Sequence, residues 1–316
     1  MSGNRFAEFD ILKGIGITLV LFGHTAIPME AKNVIYMFHM PLFFFCSGLF
    51  YKSKSIPQQI TNDAKRLFIP WLTFFAIYQF TYFNILQIPT PNITRYIEYV
   101  AQNCSLLNEH SMWYPTIWFL PCLFLIRTLY NLIYLLCKGN IVAVTAITGG
   151  GYLVGTQLVT SLFIDTAISN LIFYHLGHVL FNSYRLRQPY NPLISIATLT
   201  LLSIIILRLN VHVEMKDNIF PLYMILLALP MIWSCYQLSL SLAKSTIIAH
   251  LLTTCGKSSL TIFGLHQALW LFLSPALNRL CIPSISSSII LVIITLPILI
   301  FCDKLINRKL SFLYGK

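Results

Sequence analysis

DILKGIGITLVLFGHTAIPMEAKNVIYMFHMPLFFFCSG, residues 10–48, sets Lys13, His24 and His39 inside two strongly apolar segments. Ionisable side chains at bilayer depth are costly and face a bundle interior or a water-filled cavity, so each is a candidate for function. Lys13 and His24 are separated by about three helical turns plus roughly 20°, or about 16 Å of rise, which places them on one helix face. Gly16, Ile17 and Val20 lie along the same stretch. The expectation is a strip of small and branched residues joining a cation near one end to an imidazole near the other, as one wall of a reaction channel.

The rest of the chain agrees with a membrane setting. Of 316 residues, 57% are hydrophobic and 10% charged, with a mean hydropathy of +0.73, whereas soluble domains carry about 25% charged residues. The net charge of +11 is scattered over connectors. It forms no basic patch with interleaved aromatics, so nucleic acid is not an expected partner. The N-terminus leads into an apolar segment with no small-residue cleavage site after it and reads as a retained span. The eight cysteines form no disulfide framework and no metal-ligand spacing, and only Cys104 with Cys281 leaves a bridge open. No metal is expected.

Apolar runs of membrane-spanning length recur at about 10–27, 33–51, 67–88, 113–137, 141–159, 166–182, 191–209, 219–240, 258–277 and 286–303. The expected fold is an all-α polytopic bundle of about ten transmembrane helices, a single membrane domain over 1–316. Asp10 reads as the N-cap of the first span, KSKSIPQQITNDAKR as a polar connector, and the glycine run Gly149–Gly151 blurs the limits of the fifth span. With the N-terminus inside, most of the 21 Lys and Arg fall on the inner side, including Lys52, Lys54, Lys65, Arg66 and the Lys304–Lys316 tail. This obeys the positive-inside rule and makes both termini cytoplasmic. Lys13 is then near the cytoplasm, and His24 and His39 lie at similar depth in the outer half.

Such an arrangement suits movement of an acyl group from a cytoplasmic thioester to an extracytoplasmic hydroxyl. The donor's phosphates need cations at the inner face, its arm needs a narrow path, and the hydroxyl needs a base, for which neutral imidazole is suited near pH 7. His24 is the candidate base. His39 either donates to the developing oxyanion or orients His24.

The runs DILKGIGITLVLFGH, FHMPLFFFCSG, KRLFIPWL, WFLPCLF and SLTIFGLHQ resemble the integral-membrane acyltransferase 3 family, in the branch similar to fucose 4-O-acetylases, over nearly the whole chain. The most specific element is a basic residue separated from a histidine by ten intervening positions, here Lys13 and His24, where many members have arginine first. Lysine keeps the charge and loses the bidentate phosphate fork. The resemblance implies O-acetylation of a cell-surface glycan or its lipid-linked precursor in a bacterial inner membrane, with acetyl-CoA as donor. The chain ends shortly after the tenth run, so the fused soluble domain of some relatives is not expected.

Each candidate also has a bland reading. His24 and His39 are expected to be catalytic, although either can hydrogen-bond across helices structurally. Lys13 binds the donor or snorkels to the interface, and Asp10 caps the helix or partners Lys13. Arg66 holds phosphate or simply obeys topology. Arg127, well inside its span, holds donor or forms a buried ion pair. Trp118 contacts substrate or belongs to the interfacial belt. His266, mid-span, contacts substrate or is structural, and His175, His178, Glu109 and His110 are weaker candidates. Rival functions are a flippase for a lipid-linked sugar, which calls for paired Gly/Pro-broken spans that are not evident here, and a non-catalytic subunit of a glycan assembly complex.

Overall fold

The computed structural model describes residues 7–85, 117–158, 163–181, 191–215, 219–244, 246–280 and 282–315. Residues 86–116, with Glu109, His110 and Cys104, lie outside them, as does Cys281. Among the described residues the chain is helical, with one isolated bridge between Glu214 and Ile219. Its helices are α1 (Ala7–His24), α2 (Met29–Tyr36), α3 (His39–Gly48), α4 (Ile56–Asp63), α5 (Ile69–Ile85), α6 (Phe119–Leu136), α7 (Ile141–Gly155), α8 (Ile164–Phe181), α9 (Pro192–Leu209), α10 (Met224–Leu242), α11 (Thr246–Lys257), α12 (Ser259–Arg279) and α13 (Ser284–Lys309). A π-helical turn, Ala64–Phe68, joins α4 to α5, and a 3-10 turn spans Ser311–Tyr314.

Five of these are long and apolar enough to cross a membrane: α6, α9, α10, α12 and α13. Helix also occupies the other expected stretches, in shorter or more charged form. α1 carries Glu8, Asp10 and Lys13 in its first half, α5 has 17 residues and α7 has 15.

The expected second span is two helices. Pro41 has no N–H to give the Met37 carbonyl, and its ring would crowd that carbonyl in a continuous helix. The chain therefore breaks at Met37–Phe38 and restarts at His39, with Pro41 in the first turn, where a missing N–H costs nothing. Two further expectations are corrected. Asp10 lies inside α1, in its first turn, because the helix already begins by Ala7. The polar connector contains α4, which starts with Pro57 in its first turn. The start of α7 is set by Asn140, whose side chain accepts from the backbone N–H groups of Val142 and Ala143, and not by the glycines.

The chain forms two compact units, the first made of residues 1–51, 173–215 and 219–304, the second of 52–172, 216–218 and 305–316. In the first, α1 is central and packs on α2, α3, α10, α11 and α12. Its crossing with α11 is backbone against backbone: a Cβ on Gly14 would overlap the Leu252 carbonyl, and one on Gly256 would overlap the Asp10 carbonyl. A second reciprocal pair joins α3 to α8, with Gly48 against the Tyr174 carbonyl and Gly177 against the Phe45 carbonyl. Without a hydrophobic force between helices in lipid, close van der Waals approach through small residues is what holds such pairs.

In the second unit α4 packs on α6. Asn131, fully buried, donates to the Lys54 carbonyl at 2.9 Å. The 3-10 turn closes on the π turn and α5, where Thr73 donates to the Leu313 carbonyl at 3.1 Å.

Candidate active site

His24 is the last residue of α1 and is half-buried. Its ring lies 5.4 Å from that of His266 and 6.4 Å from that of Tyr36, centroid to centroid. Tyr36 in turn is 5.2 Å from His39, and its hydroxyl donates to the Gly23 carbonyl at 2.7 Å, tying the end of α2 to the end of α1. The expected neighbourhood of His24 and His39 therefore holds, with Tyr36 between them.

His39 opens α3, is almost fully buried, and has Nδ1 2.9 Å from the Ile35 carbonyl. A carbonyl only accepts, so Nδ1 carries the proton and Nε2 is left as an acceptor. Neutral His39 thus has no free N–H for an oxyanion. Of the two roles expected for it, orientation of a hydroxyl or of His24 fits this tautomer. His266 shows the same pattern, with Nδ1 3.0 Å from the carbonyls of both Ile262 and Phe263.

Lys13 and Asp10 lie toward the other end of α1, where Lys13 Nζ is 2.8 Å from Asp10 Oδ1. The strip between them and His24 is not an open wall. Ile17 has no exposed surface, Val20 has almost none, and Gly16 is covered by Leu42 and Phe43 of α3. Those positions are packing surface, and the unbroken helix keeps only the three-turn spacing of the two ionisable groups.

In the second unit Arg66 is exposed in the π turn. Arg127 forms an ion pair with the buried carboxylate of Asp63, Nε to Oδ2 2.7 Å, and Gln59 donates to the same oxygen. Its charge is thereby compensated, which is the ion-pair reading. Trp118 is buried, with its ring 6.0 Å from that of Phe163, and is not in an exposed belt position. Back in the first unit, His178 stacks edge-on against Tyr51 at 4.7 Å. Sequence reasoning missed Tyr36 and Trp270, the latter 5.1 Å from His266. Tyr36 had a signal in its spacing of three residues from His39.

A half-buried imidazole at a helix end, with His266 beside it and His39 beyond Tyr36, in a chain that is helical among the described residues and has membrane-length helices, is a candidate membrane site with acid-base capacity. The acyltransferase 3 family model, described as an acyltransferase domain, matches residues 6–304, and the chain belongs to that family. It is similar to the nodulation protein NolL of Sinorhizobium fredii, 29% identical over 43% of this chain and 40% of that protein. It is also similar to NolL of Mesorhizobium japonicum, 36% identical over 22% of this chain and 23% of that protein. These alignments span well under half of either relative. No solved structure matches.

Proposed function

We propose that this membrane acyltransferase moves an acetyl group from cytoplasmic acetyl-CoA to a hydroxyl of an extracytoplasmic glycan or lipid-linked sugar, with ten membrane passes and both termini inside a bacterial inner membrane. The observation that carries the reading is His24: its imidazole makes no hydrogen bond to another described residue and stands at the end of α1 beside the rings of Tyr36 and His266. In the step proposed, His24 accepts the proton of the acceptor hydroxyl as that oxygen attacks the thioester carbonyl. The C–O bond forms, the C–S bond breaks, and the departing thiolate takes the proton from His24. His39 orients the reacting groups through Nε2. The start of α3, at His39, carries the positive end of that helix's backbone dipole and is proposed to stabilise the developing negative charge.

Within the first unit the donor is assigned to Lys13, with Asp10 holding the ammonium in place; Arg66, in the second unit, is taken by itself as an exposed cation suited to a phosphate. Arg127 keeps a supporting place through Asp63, Trp118 remains a proposed substrate-side residue, and His266 belongs to the proposed site through its place beside His24. The test is transfer of radiolabel. Membranes containing the protein, supplied with acetyl-labelled CoA, are expected to label a glycan or lipid-linked sugar fraction, and membranes lacking it are not. Absence of label in both refutes the reading. In the same assay Lys13→Ala is expected to raise the KM for acetyl-CoA by about tenfold with little change in kcat, the signature of lost uniform binding. An unchanged KM makes Lys13 an anchor.

A further inference from the structure

Nε2 of His266 is buried and has no hydrogen-bond partner among the described residues. Its ring is oriented by two backbone carbonyls at Nδ1, so Nε2 bears the lone pair and needs a donor. A buried acceptor without one costs about 1–3 kcal/mol, so the arrangement calls for a donor that arrives during function. Trp270 cannot supply it, because its indole N–H is given to Thr295 at 2.7 Å. The neighbouring ring with an exchangeable N–H is His24, and a centroid separation of 5.4 Å at a tilt of 36° brings a His24 nitrogen within hydrogen-bonding reach of Nε2 once the His24 ring turns its N–H toward it.

The support around His266 is stiff. Asp303 of α13 accepts from Ser258 and Thr261 at the start of α12, and the Trp270–Thr295 bond ties α12 to α13 one turn beyond His266. We infer that His266 is a positioning residue for His24: its Nε2 accepts the His24 N–H, fixing the tautomer that leaves the other His24 nitrogen as the base. When His24 takes the hydroxyl proton, both of its nitrogens bear hydrogen, and the His266 acceptor remains in place for one of them. This rests on His24 being the base of the proposed transfer, and it gives His266 a different task from holding substrate.

The test uses the full-length protein in its membranes, with acetyl-CoA as donor, the endogenous acceptor, and release of CoA thiol as readout. His266→Leu is expected to lower kcat by about 10²-fold with the KM for acetyl-CoA within about twofold. His266→Gln, whose side chain reaches the Nε2 position with an acceptor oxygen, is expected to recover at least about tenfold over leucine. His266→Asn, which reaches only the Nδ1 position, is not. The glutamine and asparagine variants decide the matter if the leucine variant fails to fold. Equal rates for glutamine and asparagine, an unaffected leucine variant, or a raised KM at unchanged kcat each overturn the inference. His24→Ala is run alongside. If it is inactive while glutamine and asparagine are equal, only the role of His266 falls; if it is fully active, the base assignment falls and takes this role with it.

Discussion

His24→Ala is expected to lower kcat for acetyl transfer by about 10²–10⁴-fold, the usual contribution of a positioned general base, while the KM for acetyl-CoA stays near the parental value. The side chain is half-buried and forms no hydrogen bond to another described residue, so its loss breaks no hydrogen bond of the resting structure. Initial rates normalised to protein abundance check this. A variant within about threefold of the parent in kcat contradicts the assignment of His24 as base.

Gly256→Ala is expected to be the most damaging single methyl in the first unit. The added Cβ would overlap the Asp10 carbonyl, and the reciprocal contact of Gly14 with Leu252 prevents α11 from sliding aside. Separating two backbones in a packed interface is expected to cost about 3 kcal/mol or more, seen as lost abundance and a lower unfolding midpoint. The effect reaches the site as well. α1 carries His24, and α11 leads directly into α12, which carries His266, so the glycine crossing sets the distance between the two imidazoles. Gly150→Ala is the control of opposite sign. Nothing lies within 4 Å of its added Cβ, and replacing a helical glycine gains about 0.5–1 kcal/mol. Equal stability of the two variants contradicts this account of the α1–α11 contact.

Much of the helical plan was legible because apolar runs and their breakers are local signals. The positions of α1, α6, α9, α10, α12 and α13 follow from them. The break at Met37–Phe38 was legible in principle from Pro41, but the unbroken hydrophobicity of the flanks outweighed it in the reading of 33–51. α4 and α11 escaped notice because neither has a membrane-length apolar run; their faces are defined only by what they pack against. The strip from Gly16 to Val20 shows the same limit from the other side. Spacing along one helix correctly related Lys13 to His24, but whether the surface between them lines a path or a contact depends on α3, which spacing cannot place.

The site was legible in its parts and not in its grouping. Ionisable residues in apolar sequence marked His24, His39 and His266 one by one. That His266 would stand beside His24 depends on α1 and α12 packing together, and no local pattern encodes it. The tautomers of His39 and His266 depend on carbonyls one helical turn back, and of the two roles expected for His39 this tautomer suits orientation of His24 rather than donation to an oxyanion. Arg127 was recognised as needing a partner inside its span, and Asp63, hidden in an apparent connector, supplies it.

The most direct test of acyl transfer to a surface glycan is NMR of the polysaccharide from cells lacking the gene, from cells complemented with the parental gene, and from cells complemented with His24→Ala at equal abundance. The account predicts one O-acetyl resonance, present with the parental gene and missing from the other two. The same resonance at full intensity with His24→Ala, or in cells without the gene, contradicts it.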